Sequence, residues 1–192
     1  MDQTMAAAYR DKLAKAGVII TGHFEFASGQ HATTKVEMDN VTPELITHFS
    51  LEAVFWGMQF EVDAVAGVPS GGNKFASEAA KHFAGMGQTV TFFRALKAFE
   101  GNFAVDPEVA SKVSGKKFLL IDDVTSTGGS LIKLKKRIED LDGIVVAIFV
   151  IWNRGNVQKE VFGNVENFMY IINEAIPSWP QEECHCVNKE YR

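Results

Sequence analysis

Residues 118–130, FLLIDDVTSTGGS, constrain this chain more than any other stretch. The four apolar residues Phe118 to Ile121 have the length and texture of a strand buried on both faces, which belongs in a parallel sheet covered by helices. Two carboxylates follow at once, Asp122 and Asp123. Burying them unpaired is costly, so they require water, a cation or hydroxyl donors, and sugar hydroxyls are such donors. The turn behind them offers hydroxyls from Thr125, Ser126, Thr127 and Ser130, while Gly128 and Gly129 let backbone N–H groups approach an anion closely. A helix starting there adds the positive end of its dipole. Phosphate suits this chemistry better than a neutral ligand, although the Gly-Lys-Ser/Thr ending of a Walker loop is missing. A plain Asp/Ser/Thr capping turn accounts for any one of these residues more easily than for the ordered string.

The surrounding pattern supports such a sheet. Met5, Tyr9 and Leu13 predict an amphipathic helix ending at Gly17, and residues Ile19 to Asn40, broken at Ser28-Gly29, predict two short strands joined by a turn. Pro43 and Glu44 open a helix with Leu45, Phe49, Ala53 and Trp56 on its inner face, ending near Gly57. A strand over Asp63 to Val68, the turn PSGG and an alanine-rich helix from Asn73 to Met86 come next, then a strand from Thr89 to Phe93. Arg94 to Lys117 contains no convincing buried element, and loops of that length are usually mobile or functional. After the acidic pair, Leu131, Leu134, Ile138 and Leu141 mark a helix, and Ile144 to Trp152 a strand. Strand and helix alternate through the middle of the chain, which favours a parallel sheet covered on both faces. No repeat or linker divides the 192 residues, so one domain is expected.

A formal net charge of -5 argues against a nucleic-acid binder that works through a broad basic surface. No apolar run approaches the roughly 20 residues of a membrane-spanning helix, and the first 17 residues lack the apolar core of a signal peptide. A cytoplasmic protein without membrane or nucleic-acid partners is expected. Cys184 and Cys186, one residue apart, suit neither an ordinary disulfide nor a complete zinc set, and read as free thiols.

The 118–130 string resembles the signature of the type I phosphoribosyltransferase family: four apolar residues, two acidic residues and a Thr/Ser/Gly-rich turn. Thr125 stands where that family usually has an aliphatic residue. The resemblance implies an α/β fold with a central, mostly parallel sheet flanked by helices, the core over about 41–152 and a small hood built from 18–40 and 153–192. It further implies that Asp122 and Asp123 face the ribose hydroxyls of PRPP, directly or through Mg2+, and that Thr125 to Ser130 hold its 5′-phosphate.

Two other stretches resemble the orotate-using members. TGHFEFASGQHATTKVEMDN is similar to their segment that frames the base pocket, and Asn153-Arg154-Gly155 to their Arg-bearing turn. Arg154, with Thr127, is thereby implied as the contact for orotate. An arginine at a strand end can also grip a planar carboxylate through two parallel hydrogen bonds, although a surface ion pair is an equally ordinary role. The tail SWPQEECHC is similar to a cysteine-bearing tail in some of these enzymes, with a shorter cysteine spacing.

Two departures bear on catalysis. The pyrophosphate turn has Ser70, Gly71 and Gly72 where relatives often carry a lysine, with Lys74 slightly beyond, and RALKAFEGNF lacks their Asp-His-Gly cluster. Arg94 and Lys97 are the nearest candidates for pyrophosphate contacts, Lys97 also as a catalytic group. The related enzymes' mobile loop reaches a neighbouring subunit, which implies a homodimer. Transfer to a purine base, a PRPP-sensing regulator without catalysis, and a generic nucleotide or sugar-phosphate binder stand as alternatives.

Overall fold

The computed structural model describes residues 3–26 and 29–184. Helix α1 (Gln3–Lys15) precedes a hairpin of β1 (Ile19–Glu25) and β2 (Gln30–Val36). Helix α2 (Pro43–Gly57) leads to β3 (Ala64–Gly67), α3 (Gly71–Gly85) and β4 (Thr91–Phe93). A second hairpin, β5 (Ala95–Lys97) and β6 (Phe103–Val105), and the single turn α4 (Pro107–Ala110) then precede β7 (Lys117–Thr125) and α5 (Gly129–Glu139). The chain continues through β8 (Ile144–Asn153) and β9 (Asn167–Asn173) to the two-residue β10 (Trp179–Pro180).

Five strands form a wholly parallel sheet in the order β4-β3-β7-β8-β9. Alternation along its strands divides the core into two layers. Val65, Leu119, Ile121, Phe149 and Ile151 pack with Phe49, Phe75 and Phe83 of α2 and α3, where Tyr9 and Leu13 of α1 join them. Ala64, Ala66, Phe118, Leu120, Ile148 and Val150 face the other way, against Leu131, Leu134 and Ile138 of α5. Each fully buried Phe or Leu contributes about 1.5–3 kcal/mol of transfer free energy, so the sheet is the rigid part of the molecule. A separate antiparallel sheet, β1-β2-β10, forms the hood.

The helix over 43–57 opens at Pro43, in its first turn, as expected, and the Thr42 hydroxyl caps it by accepting from Leu45 N–H at 3.3 Å. Three expectations change. Residues 94–117 are not devoid of buried structure, because Ala95 and Val105 of the β5–β6 hairpin and Val113, after α4, are buried. Strands of three residues are too short to display a period in sequence. The outer core strand, β9, comes from the segment assigned to the hood. Its apolar run was visible, but a run does not declare which sheet it joins. Finally, β7 does not stop at Ile121; parallel pairing with β8 carries it through Asp122↔Val150 to Thr125↔Asn153. Ser28 of the first turn, and His185 and Cys186 of the tail, lie outside the described residues.

Candidate active site

β3 and β7 are neighbours whose outgoing connections diverge, β3 through α3 toward β4 and β7 through α5 toward β8. That divergence opens a crevice beyond the carboxyl ends of the two strands, the usual ligand position in a doubly wound sheet. The Val68 N–H donates to the Ile121 carbonyl at 3.0 Å, which holds the turn after β3 beside the acidic pair. This turn carries a cis peptide bond between Pro69 and Ser70, and Gly71 and Gly72 already belong to the first turn of α3. Gly71 lies so close to Asp123 that a Cβ there would fall 1.8 Å from Asp123 Oδ2. No other residue type fits without moving the carboxylate.

Asp122 is 3% exposed, and its Oδ1 accepts from the Asp123 N–H at 3.0 Å. Burial first, then the neighbouring Asp123 charge, push its carboxyl well above the ordinary range. Burial also raises Asp123, opposed by the Val124 N–H, by Asp122 and by the positive charge of Lys74. The Lys74 ammonium donates to the Met38 carbonyl at 2.6 Å and lies 3.7 Å from Asp39. Lys74 thus connects α3 to the segment after β2 while supplying the cation that faces the pair. Sequence reading noted it only as lying beyond the turn.

Two adjoining cavities share Val124 and Ser126. One, of about 230 Å³, is lined by Asp122 and by Thr125 to Ser130. Its turn is internally braced: the Thr125 hydroxyl accepts from Gly128 N–H at 3.2 Å and the Thr127 hydroxyl from Gly129 N–H at 3.3 Å. Thr125 is therefore a buried brace of the turn, a role an aliphatic residue would lack. Gly128 takes φ +78°, where glycine is favoured, and α5 begins directly behind it. The unpaired N–H groups of that first helical turn face an anion readily. The other cavity, of about 300 Å³, is lined by Ser70, Gly71, Asp123 and Arg154, with Glu37 and Asp39 opposite.

Arg154 is placed by the turn after β8. The buried Asn153 side chain closes that turn by donating to the Val157 carbonyl at 2.9 Å and accepting from its N–H at 2.8 Å. Arg154 N–H donates to the Thr125 carbonyl at 2.8 Å, and its guanidinium donates to Ser126 Oγ at 2.6 and 3.0 Å. Gly155 meets the Ser126 backbone so closely that a Cβ would lie 1.6 Å from its carbonyl oxygen. Phe26 of the hood covers the guanidinium, with 5.3 Å from Cζ to the ring centroid. Burial lowers the Arg154 pKa, though a guanidinium keeps its charge. Phe26 belongs to the segment expected near the base pocket, but only folding shows that it meets Arg154.

The remaining candidates are spread more widely. Lys97 is exposed at the end of β5 and lines a third cavity with Pro69, Ser130 and Lys133. Lys133 Nζ donates to the Gly101 carbonyl at 2.9 Å and so ties α5 to the hairpin tip. Asn73 holds the base of the same hairpin through Ala95, at 2.8 and 3.3 Å. Arg94 is exposed, its carbonyl accepts from Asp106 N–H, and it lines none of these three cavities. Of the GHF…SGQH segment, His23 and His31 face each other across the hood at 2.8 Å instead of pointing into a cavity.

A parallel sheet in the order 2-1-3-4-5, with an acidic pair and an anion-cradling turn at its switch point, defines the type I phosphoribosyltransferase architecture. Residues 40–183 match the family model described as the phosphoribosyl transferase domain, and the chain belongs to that family of pentosyltransferases. It is 26% identical over 174 residues to an orotate phosphoribosyltransferase of a Thermoanaerobacter species, covering 88% of this chain and 85% of the relative. Among solved structures, an orotate phosphoribosyltransferase from Mycobacterium tuberculosis in complex with Fe(III) dicitrate superposes with TM-score 0.68 at 15% identity, covering 87% and 95% of the two chains. An adenine phosphoribosyl transferase from Trypanosoma brucei superposes with TM-score 0.64 at 15% identity, covering 90% and 83%. At these identities the structural likeness concerns the fold. Among the described residues, no helix is long and apolar enough to cross a membrane.

Proposed function

We propose that this chain transfers the phosphoribosyl group of PRPP to orotate, giving orotidine 5′-monophosphate and pyrophosphate. Arg154 carries the choice of base: a half-buried guanidinium, bonded to Ser126 and stacked under Phe26, beside the cavity that holds Asp123. Planar, cationic and partly desolvated, it matches a flat ring bearing a carboxylate better than a neutral purine, which carries no charge to pair with it. The similarity to sequences named orotate phosphoribosyltransferase supports the same reading.

In this mechanism the Thr125–Ser130 turn binds the 5′-phosphate through backbone N–H groups and the dipole of α5. Asp122 and Asp123 accept from the ribose hydroxyls and stabilise positive character as the transition state gains oxocarbenium nature. A base nitrogen bonds to the anomeric carbon while the carbon–oxygen bond to pyrophosphate breaks, and pyrophosphate leaves with the electron pair. The Ser70–Gly72 turn and Lys97, with Arg94 after a movement of the hairpin, bind that leaving group. Two adjacent carboxylates disfavoured by burial, with Lys74 as the positive charge acting on Asp123, suit a divalent cation. Asp122 and Asp123 would hold Mg2+ directly or through water, and the ion would supply charge neutralisation for the departing pyrophosphate. Closure of the 95–115 segment excludes water and protects PRPP from hydrolysis. Phe99, 86% exposed at the hairpin tip, gives this segment an apolar contact for a neighbouring subunit of a homodimer.

The test is turnover of the purified chain with Mg2+ and PRPP against orotate, adenine and hypoxanthine, followed by orotate absorbance and by pyrophosphate release. Orotate-dependent release of pyrophosphate is expected. Release with adenine or hypoxanthine but not orotate would move the assignment to a purine enzyme, and PRPP binding without release to a regulator.

A further inference from the structure

We propose that His23, His31 and Cys184 form a binding site for a divalent transition metal of the zinc class, which clips the hood hairpin to the C-terminal segment. His23 comes from β1, His31 from β2, and Cys184 from the turn after β10. One ligand atom from each can be chosen so that all three lie within 4.8 Å of one another. His23 Nε2 is 2.8 Å from His31 Nδ1 and 3.7 Å from Cys184 Sγ.

A tetrahedral ion with bonds of about 2.0–2.1 Å to nitrogen and about 2.3 Å to sulfur separates its ligand atoms by roughly 3.3–3.6 Å. The nitrogen–sulfur spacing is already of that size, and the two imidazoles need to part by only about half an ångström. One thiol with two imidazoles is a donor set for zinc, copper or cobalt, whereas magnesium and calcium take oxygen ligands. His23 is exposed, which gives an ion a route in, while His31 and Cys184 are buried.

His31 is only 5% exposed and presents Nδ1 to His23, so burial holds that donor in place at the cluster. The hood has little else to hold it: β1 and β10 bury no residue fully, and β2 buries only His31 and Ala32. Trp179 of β10 pairs in register with His31, so an ion here fixes both edges of β2. None of the three residues lines the cavities around Asp122 and Asp123, so the site is separate from the PRPP crevice.

The probe is Co2+ added to the full chain in excess Mg2+, so that the carboxylate pair is occupied. One equivalent per chain is expected, with the intense visible bands of a tetrahedral ion and a thiolate-to-cobalt charge-transfer band. Cys184→Ser should abolish the charge-transfer band, and His23→Gln should weaken Co2+ binding at least about 10-fold. X-ray absorption of the Zn2+-loaded wild type is independent of any variant's folding; it should show sulfur near about 2.3 Å with nitrogen near about 2.0–2.1 Å. Oxygen-only coordination, far less than one equivalent, or an unchanged band in Cys184→Ser would overturn the site.

Discussion

On the sheet side of the crevice, the candidate groups come from two continuous stretches, 68–72 and 122–130, which begin on or directly after strands of the buried parallel sheet. Facing them, Phe26 and Arg154 come from parts of the chain far apart in sequence and meet beside the hood, a three-stranded sheet with almost no apolar interior. In the proposed function, the core builds the phosphate and sugar site by local chemistry, aimed by the strands that lead into it. The base site is built by convergence, and its precision depends on a few side-chain contacts. A sheet edge can thus keep one ligand while the hood above it is free to vary the other.

The strongest way to break this comparison is to disarm the sheet side. Replacing both Asp122 and Asp123 by Asn should lower turnover on the order of 10³-fold in steady-state assays while leaving far-UV circular dichroism unchanged. Asp122→Asn alone should in addition stabilise the fold. Burial and the Asp123 charge hold its carboxyl well above the ordinary carboxylate range, so the folded state holds the proton more tightly than the unfolded chain. Stability is then lost as pH rises from about 3.8 toward the folded pKa, and the amide escapes that loss. Thermal melts should show Asp122→Asn a few degrees above wild type at pH 7, by roughly 2–4 °C per kcal/mol, with the gap closing in acid. An equal or lower melting temperature at pH 7 would mean that the pair is stabilised in the folded chain.

Gly71→Ala should be nearly as damaging to PRPP use, because its Cβ needs the position of Asp123 Oδ2. A loss of about 10²-fold in kcat/KM for PRPP, with only about 1–3 kcal/mol of destabilisation, is expected from kinetics and denaturant melts. A wild-type KM would show that the turn and the carboxylate are not in contact when the ligand binds.

The hood side is tested by Arg154→Ala, which should raise the KM for orotate by about 10- to 100-fold while changing the KM for PRPP far less. Equal losses for both substrates would return Arg154 to the role of a brace for Ser126. Phe26→Leu removes only the ring under the guanidinium, and a rise of about 2- to 5-fold in the orotate KM is expected.

Legibility in sequence follows the same division. The string at 118–130 announced strand, acidic pair and phosphate turn because all its parts are adjacent. The helices at 43–57 and 129–139 showed through their apolar spacing, since each packs one face on the sheet. What escaped was decided by distance in sequence or by shortness. β9 is an apolar run that reveals its sheet only through pairing with β8, and β5 and β6 have three residues each. Lys74 looked displaced from the pyrophosphate turn, yet the first turn of α3 brings its charge to bear on Asp123. Cys184 is a free thiol, as its sequence context suggests, and only the folded hood brings it to 3.7 Å from His23 Nε2.

The account rests on the sheet edge holding PRPP without help from the base. Titration calorimetry of Mg2+ and PRPP into the wild-type chain, with no base present, tests this most directly. Saturable binding at one site per chain, abolished in the Asp122→Asn, Asp123→Asn double variant and retained in Arg154→Ala, is the predicted result. No binding by the wild type, or binding lost in Arg154→Ala as fully as in the double variant, would contradict it.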